Sequence, residues 1–268
     1  MPRLRYLFPL ICVSFVFAGV ACDSGSGDRA TVDVVAGARE EQSPPPTTAS
    51  EAEGGPRALL PDLVVRQPGE LYIQDGDDGV REIRFSTSVV NVGEGPLEML
   101  GAYEEETDKT LASQRVLYAD GTTTEREIGR FLFHPDHDHW HFEDFTVFEL
   151  WSVDDGRDLV DLVATTGKLT FCLVDEYPVD EPPANGVAEP AMLECNSGAQ
   201  GLSVGWEETY LADFPGQELD IPEVPDGTYV IRTIVDPDAR LSELDTTNNE
   251  SAALVQITGH DIVVLEEL

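Results

Sequence analysis

Positive charge is what this sequence has least of. Sixteen Lys and Arg residues stand against 52 Asp and Glu in 268 residues, a formal net charge of −36. Such a surface repels phosphate backbones and anionic headgroups, which excludes nucleic acid and anionic lipid as partners. It suits solubility and cationic partners. Lysine is scarcer still: Lys109 and Lys168 are the only two, and arginine carries the rest of the basic charge. No long stretch carries a helical hydrophobic period with caps, which argues against a helical organisation. The hydrophobic share of 41% is ordinary for a globular chain. The length suffices for one or two domains with a proper core.

Cysteine is also sparse, with four residues, Cys12, Cys22, Cys172 and Cys195. The first two lie in "MPRLRYLFPLICVSFVFAGVAC", where Arg3 and Arg5 precede an apolar run to about Val20. That run is too short and too N-terminal for a permanent span, and reads as an export signal over residues 1–22. Small residues before Cys22 and the polar "DSGSGD" after it resemble a bacterial lipoprotein signal, with Cys22 lipidated and membrane attachment only through that anchor. Ordinary signal cleavage and an uncleaved anchor stay open. Export leads to an oxidising compartment, so a Cys172–Cys195 disulfide is expected, with two buried thiols as the alternative.

Residues 23–58 are Ser, Gly, Pro, Ala, Thr and Glu, including "EEQSPPPTTASEAEGGP". They cannot bury enough apolar surface to offset ordering, and read as a disordered linker. From Leu59 the pattern turns to short β-branched and apolar runs split by Gly, Asp and Pro: "PDLVV", "LYIQ", "REIRFSTSVVNVG", "RFLFH", "HWHFEDFTVFELW", "KLTFCLVD", "GTYVIRTIVD" and "AALVQITG". Ile83, Phe85, Thr87 and Val89 alternate as one face of a half-buried strand. The expectation is a single all-β domain over 59–268, an antiparallel β-sandwich with long irregular loops at 101–130 and 175–215.

Four of the five histidines fall in "HPDHDHWH", residues 134–141. On an extended chain His137, His139 and His141 share a face, so three imidazoles converge on one metal and leave positions open. An all-nitrogen site suits copper or zinc. His134 is out of phase, and Pro135 predicts a bend. Glu243, Asp245, Asn248 and Asn249 in "ELDTTNN" are all oxygen donors, the choice of Ca²⁺, or else a polar turn with Asx hydrogen bonds.

"HDHWHFEDF" resembles the copper-binding motif of the lysyl oxidase family. "LPDLVV", "LYIQ", "GKLTFCLVD", "GLSVGWEETYLADFPGQELDI" and "DGTYVIRTIVDPDARLSELDTTNN" resemble further family segments in the same order. The resemblance implies copper on His137, His139 and His141. It also implies a lysine tyrosylquinone cofactor made from Lys168 and Tyr210. The activity implied is oxidative deamination of peptidyl lysine or small primary amines by dioxygen, giving an aldehyde, hydrogen peroxide and ammonia. It further implies calcium on the "ELDTTNN" donors together with Asp62 and the Leu63 carbonyl. The catalytic base is open: a family histidine falls at Val147 here, and Asp136, Asp138, Glu143, Asp144 and His134 are candidates. A non-catalytic copper- or zinc-binding surface lipoprotein is the alternative.

Overall fold

A computed structural model describes residues 55–268. The signal, Cys22 and most of the linker lie outside the described residues. The strands, in chain order, are β1 (Ala58–Leu59), β2 (Leu63–Val65), β3 (Gly69–Asp75), β4 (Arg81–Asn91), β5 (Leu97–Glu104), β6 (Lys109–Tyr118), β7 (Thr123–His134) and β8 (His139–Val153). They continue with β9 (Leu159–Phe171), β10 (Tyr177–Pro178), β11 (Ala199–Leu202), β12 (Trp206–Tyr210), β13 (Glu218–Asp220), β14 (Gly227–Val235), β15 (Glu250–Thr258) and β16 (Asp261–Glu267). There is no α-helix among the described residues, and every strand pairing is antiparallel.

Two sheets share one core. The larger runs β11-β5-β6-β7-β8-β14-β15-β16, with β1 on β6 and β9 on β8. In the smaller, β4 is the axis on which β2, β3, β12 and β13 pair, with β10 beyond β12. Ile83, Phe85 and Val89 of β4 are buried on the inner face, as their alternation predicts. The ring of Phe85 meets Phe148 of β8 edge-on at 4.6 Å, which joins the two sheets at their centre.

The expected loop at 101–130 is mostly strand: β5 continues to Glu104, and β6 and β7 fill most of the remainder. The alternation in β6 is carried by Thr110, Ala112 and Gln114, all buried. Small and polar residues do not register as an apolar face, yet they pack inward here; the Gln114 amide exchanges hydrogen bonds with the backbone of Ser242. The expected loop at 175–215 is likewise interrupted by β10, β11 and β12.

Candidate metal centre

The turn between β7 and β8 gathers the histidines. His134 ends β7 and faces His139, the first residue of β8, across the ladder. Four residues, 135–138, close the hairpin, with Asp138 in the left-handed region at φ 56°, which Asp tolerates better than most residues. The three ligand candidates therefore do not lie on one strand. His139 and His141 alternate on β8, whereas His137 sits in the turn and folds back over them. Nitrogen atoms of His137, His139 and His141 nonetheless lie within 4.8 Å of one another. His134, opposite His139, falls on the same face, and its ring stacks on His141 at 4.7 Å.

Surrounding groups fix the imidazoles. His141 is 1% exposed, and its Nδ1 lies 3.0 Å from the carbonyl oxygen of Thr170. A carbonyl only accepts, so Nδ1 carries the proton and Nε2 presents its lone pair. His137 donates from Nε2 to the Pro215 carbonyl at 3.0 Å, which frees its Nδ1. Burial holds His137 and His139 below the usual imidazole range and drives His141 down to about 3. All three are then neutral near pH 7, the form that binds metal. The Nε2 of His139 and the Nδ1 of His134 are buried without a hydrogen-bond partner. A buried orphan nitrogen is costly in an empty protein and suits one that holds an ion.

Tyr210, the last residue of β12, closes the site. It is 4% exposed, and its ring packs against Phe171 at 4.2 Å. Its hydroxyl accepts the Cys172 N–H at 2.9 Å and lies 3.3 Å from Nε2 of His141. Burial pushes the phenol up, so the hydroxyl keeps its proton. Cys172 and Cys195 are joined in a disulfide. The Cys195 carbonyl accepts from Trp140 N, next to His141. The loop after Tyr210 carries Phe214 and Pro215 over His137, and Arg84 braces that loop by donating to the carbonyls of Ala212 (2.7 Å) and Phe214 (2.8 Å).

The description "Lysyl oxidase" belongs to the family model that matches residues 102–266, a stretch holding the histidine hairpin, Tyr210 and "ELDTTNN". The chain belongs to the lysyl oxidase family. It is 34% identical over 136 residues to Lysyl oxidase homolog 3B of Danio rerio, covering 50% of this chain and 15% of that protein. It is 31% identical over 129 residues to the Protein-lysine 6-oxidase of Homo sapiens, covering 48% of this chain and 28% of that protein. The chain thus spans less than a third of the length of either relative.

The lysyl oxidase segments do not all meet. Lys168 on β9 is exposed, and its ammonium pairs with Asp238 Oδ2 at 2.5 Å, whereas Tyr210 is buried against His141. The lysine and tyrosine rest in separate settings. Among the candidate bases, Glu143 is engaged by Arg130 and by Arg240. Val147 faces Lys168 across the β8–β9 ladder.

The oxygen-rich segment does assemble. Leu63 N donates to Glu243 Oε2 at 2.9 Å, Asn248 Nδ2 to Asp62 Oδ1 at 2.8 Å, and Asn249 Nδ2 to Glu243 Oε1 at 2.8 Å. The amide oxygens of Asn248 and Asn249 are buried without partners. Burial pushes the Glu243 carboxyl up to about 8. Asp245 stands apart from these bonds: it is exposed and accepts from the backbone and hydroxyl of Thr247, the Asx-turn alternative. Residues that sequence reasoning missed are Thr170, Pro215, Arg84 and Asp238. Only Arg84, a charge amid the apolar alternation of β4, left a readable signal.

Proposed function

We propose that this chain is a copper-dependent amine oxidase of the protein-lysine 6-oxidase type. The observation that carries the proposal is the Tyr210 hydroxyl 3.3 Å from His141 Nε2, inside a cluster of three neutral imidazoles. Copper on His137, His139 and His141 would activate dioxygen beside that phenol, and a lysine tyrosylquinone from Lys168 and Tyr210 would serve as the electron sink for amine oxidation. The protein's part is positional. Thr170 and Pro215 orient two of the imidazoles, Cys172 N–H holds the phenol oxygen, and Phe171 and Phe214 keep water from the ring.

An acidic cavity of about 720 Å³ adjoins this centre through Leu169 and Pro215. Asp75, Asp77, Asp78, Asp213, Glu218 and Asp220 line it, which favours a cationic primary amine, whether peptidyl lysine or a small molecule. Structural calcium between Asp62, Leu63, Glu243, Asn248 and Asn249 would tie the first strands to the late loop. Residues 59–268 are proposed as the catalytic domain, behind an export signal at 1–22, lipidation at Cys22 and a linker at 23–58. The protein would work in the cell envelope or outside the cell.

The test is peroxide release from a primary amine after copper loading, compared among wild type, Tyr210→Phe and Lys168→Arg. Equal rates in all three would defeat the quinone reading. The second reading, a metal-binding surface protein without the quinone, is favoured by one observation, the pairing of Lys168 with Asp238. Peptide mass separates the two readings, because only the first joins the Lys168 and Tyr210 fragments.

A further inference from the structure

We infer that Asp238 is a positioning residue that parks Lys168 away from Tyr210, so that maturation of the site requires release of this ion pair. The inference rests on the proposed roles of Lys168 and Tyr210. Three observations carry it. The Lys168 ammonium is 2.5 Å from Asp238 Oδ2, on the outside of β9. The Tyr210 ring is enclosed by Phe171, Phe214 and His137, and its hydroxyl is already bonded. In this arrangement the amine is bonded to the carboxylate on the exposed side of β9, while the ring and hydroxyl of Tyr210 are buried among other partners.

The third observation is a place where β9 can move. The β8–β9 register slips between Val147/Lys168 and Glu149/Thr165, leaving an extra residue in β9. Gly167, immediately before Lys168, lies in that bulge at φ +70°, with open space around it. Its lack of a side chain lets the backbone change conformation there at little steric cost. Asp238 is the fixed partner, because its turn is anchored by Asp236, which accepts from the N–H groups of Arg240 and Leu241.

The union that release would permit balances with dioxygen as oxidant. Two dioxygen molecules are consumed as the lysine nitrogen bonds to a ring carbon and one oxygen atom enters the ring. One dioxygen yields water and the other hydrogen peroxide, which together carry away the hydrogens lost from ring and amine.

The chain supplies its own reference for a test, because Lys109 is its only other lysine and is exposed. Trace acetylation of the full chain, read by peptide mass, gives a Lys168-to-Lys109 ratio for wild type, Asp238→Asn and Asp238→Glu. The expected result is a rise of about two- to fivefold in Asp238→Asn, the scale of an exposed ion pair, with Asp238→Glu near wild type. In copper and oxygen, Asp238→Asn should also form the joined Lys168–Tyr210 fragment faster. An unchanged acetylation ratio, or a joined fragment that forms at the same measurable rate in wild type and Asp238→Asn, overturns the inference. A raised ratio with no joined fragment in any variant supports the parking contact and defeats the quinone reading instead.

Discussion

The hydroxyl of Tyr210 and Nε2 of His141 lie 3.3 Å apart, although 69 residues separate them in sequence. One residue ends a strand of the small sheet and the other sits near the start of the longest strand of the large one. Their meeting defines the site: the nitrogen left free by the Thr170 bond is the one that faces the phenol.

Metal affinity should therefore depend on groups beyond the imidazoles. His139→Ala should abolish stoichiometric copper binding in a calorimetric titration. Arg84→Met should weaken it by about tenfold and also lower Tm, because it frees the loop that carries the acceptor of His137 and leaves the buried Glu82 carboxylate without its guanidinium partner. Wild-type affinity in Arg84→Met would show that the loop needs no brace.

The disulfide closes a segment of sequence separation 23, for which loop-closure entropy amounts to about 3 kcal/mol. Cys172→Ser with Cys195→Ser should lower Tm by several degrees. The pair also fixes the N–H that holds Tyr210 and the carbonyl that receives Trp140 N, so copper affinity should fall with stability. A drop in Tm with unaltered copper affinity would confine the disulfide to a stabilising role.

Glu208 is 7% exposed, and burial, with Glu176 and Asp175 adding to it, pushes its carboxyl up to about 8. The folded state then holds a proton that the unfolded chain releases above about pH 4.5. Stability contributed by this group is full below that pH and is lost as pH rises toward 8. Thermal melts of wild type should fall between pH 5 and 8, and Glu208→Gln should flatten that decline. Parallel pH profiles in the two proteins would show that Glu208 does not titrate in this window.

Calcium should raise the Tm of wild type, because an ion on the unpartnered oxygens of Asn248 and Asn249 binds only the folded chain. Asn249→Ala should lose most of that increment, and Asp245→Ala, in its exposed turn, should keep it. An equal calcium shift in Asn249→Ala would move the ion elsewhere.

Much of this protein is written locally. The alternation of Ile83, Phe85 and Val89 and the turn residues between runs are enough to give an all-β fold, because strand periodicity depends on near neighbours alone. The grouping of His134, His137, His139 and His141 is likewise a matter of spacing, and a short hairpin delivers it. Polar strands escaped that reading: β6 buries Thr110, Ala112 and Gln114, whose inward packing depends on partners across the sheet. The same holds for the site's supports. Nothing near His137 announces the Pro215 carbonyl, and nothing near Lys168 announces Asp238, 70 residues away. Sequence determined which chemical groups this chain owns and which of them are neighbours along it. Only the packing of two sheets decided which of them touch, because hydrogen bonds and ion pairs act over a few ångströms of space, however much chain lies between.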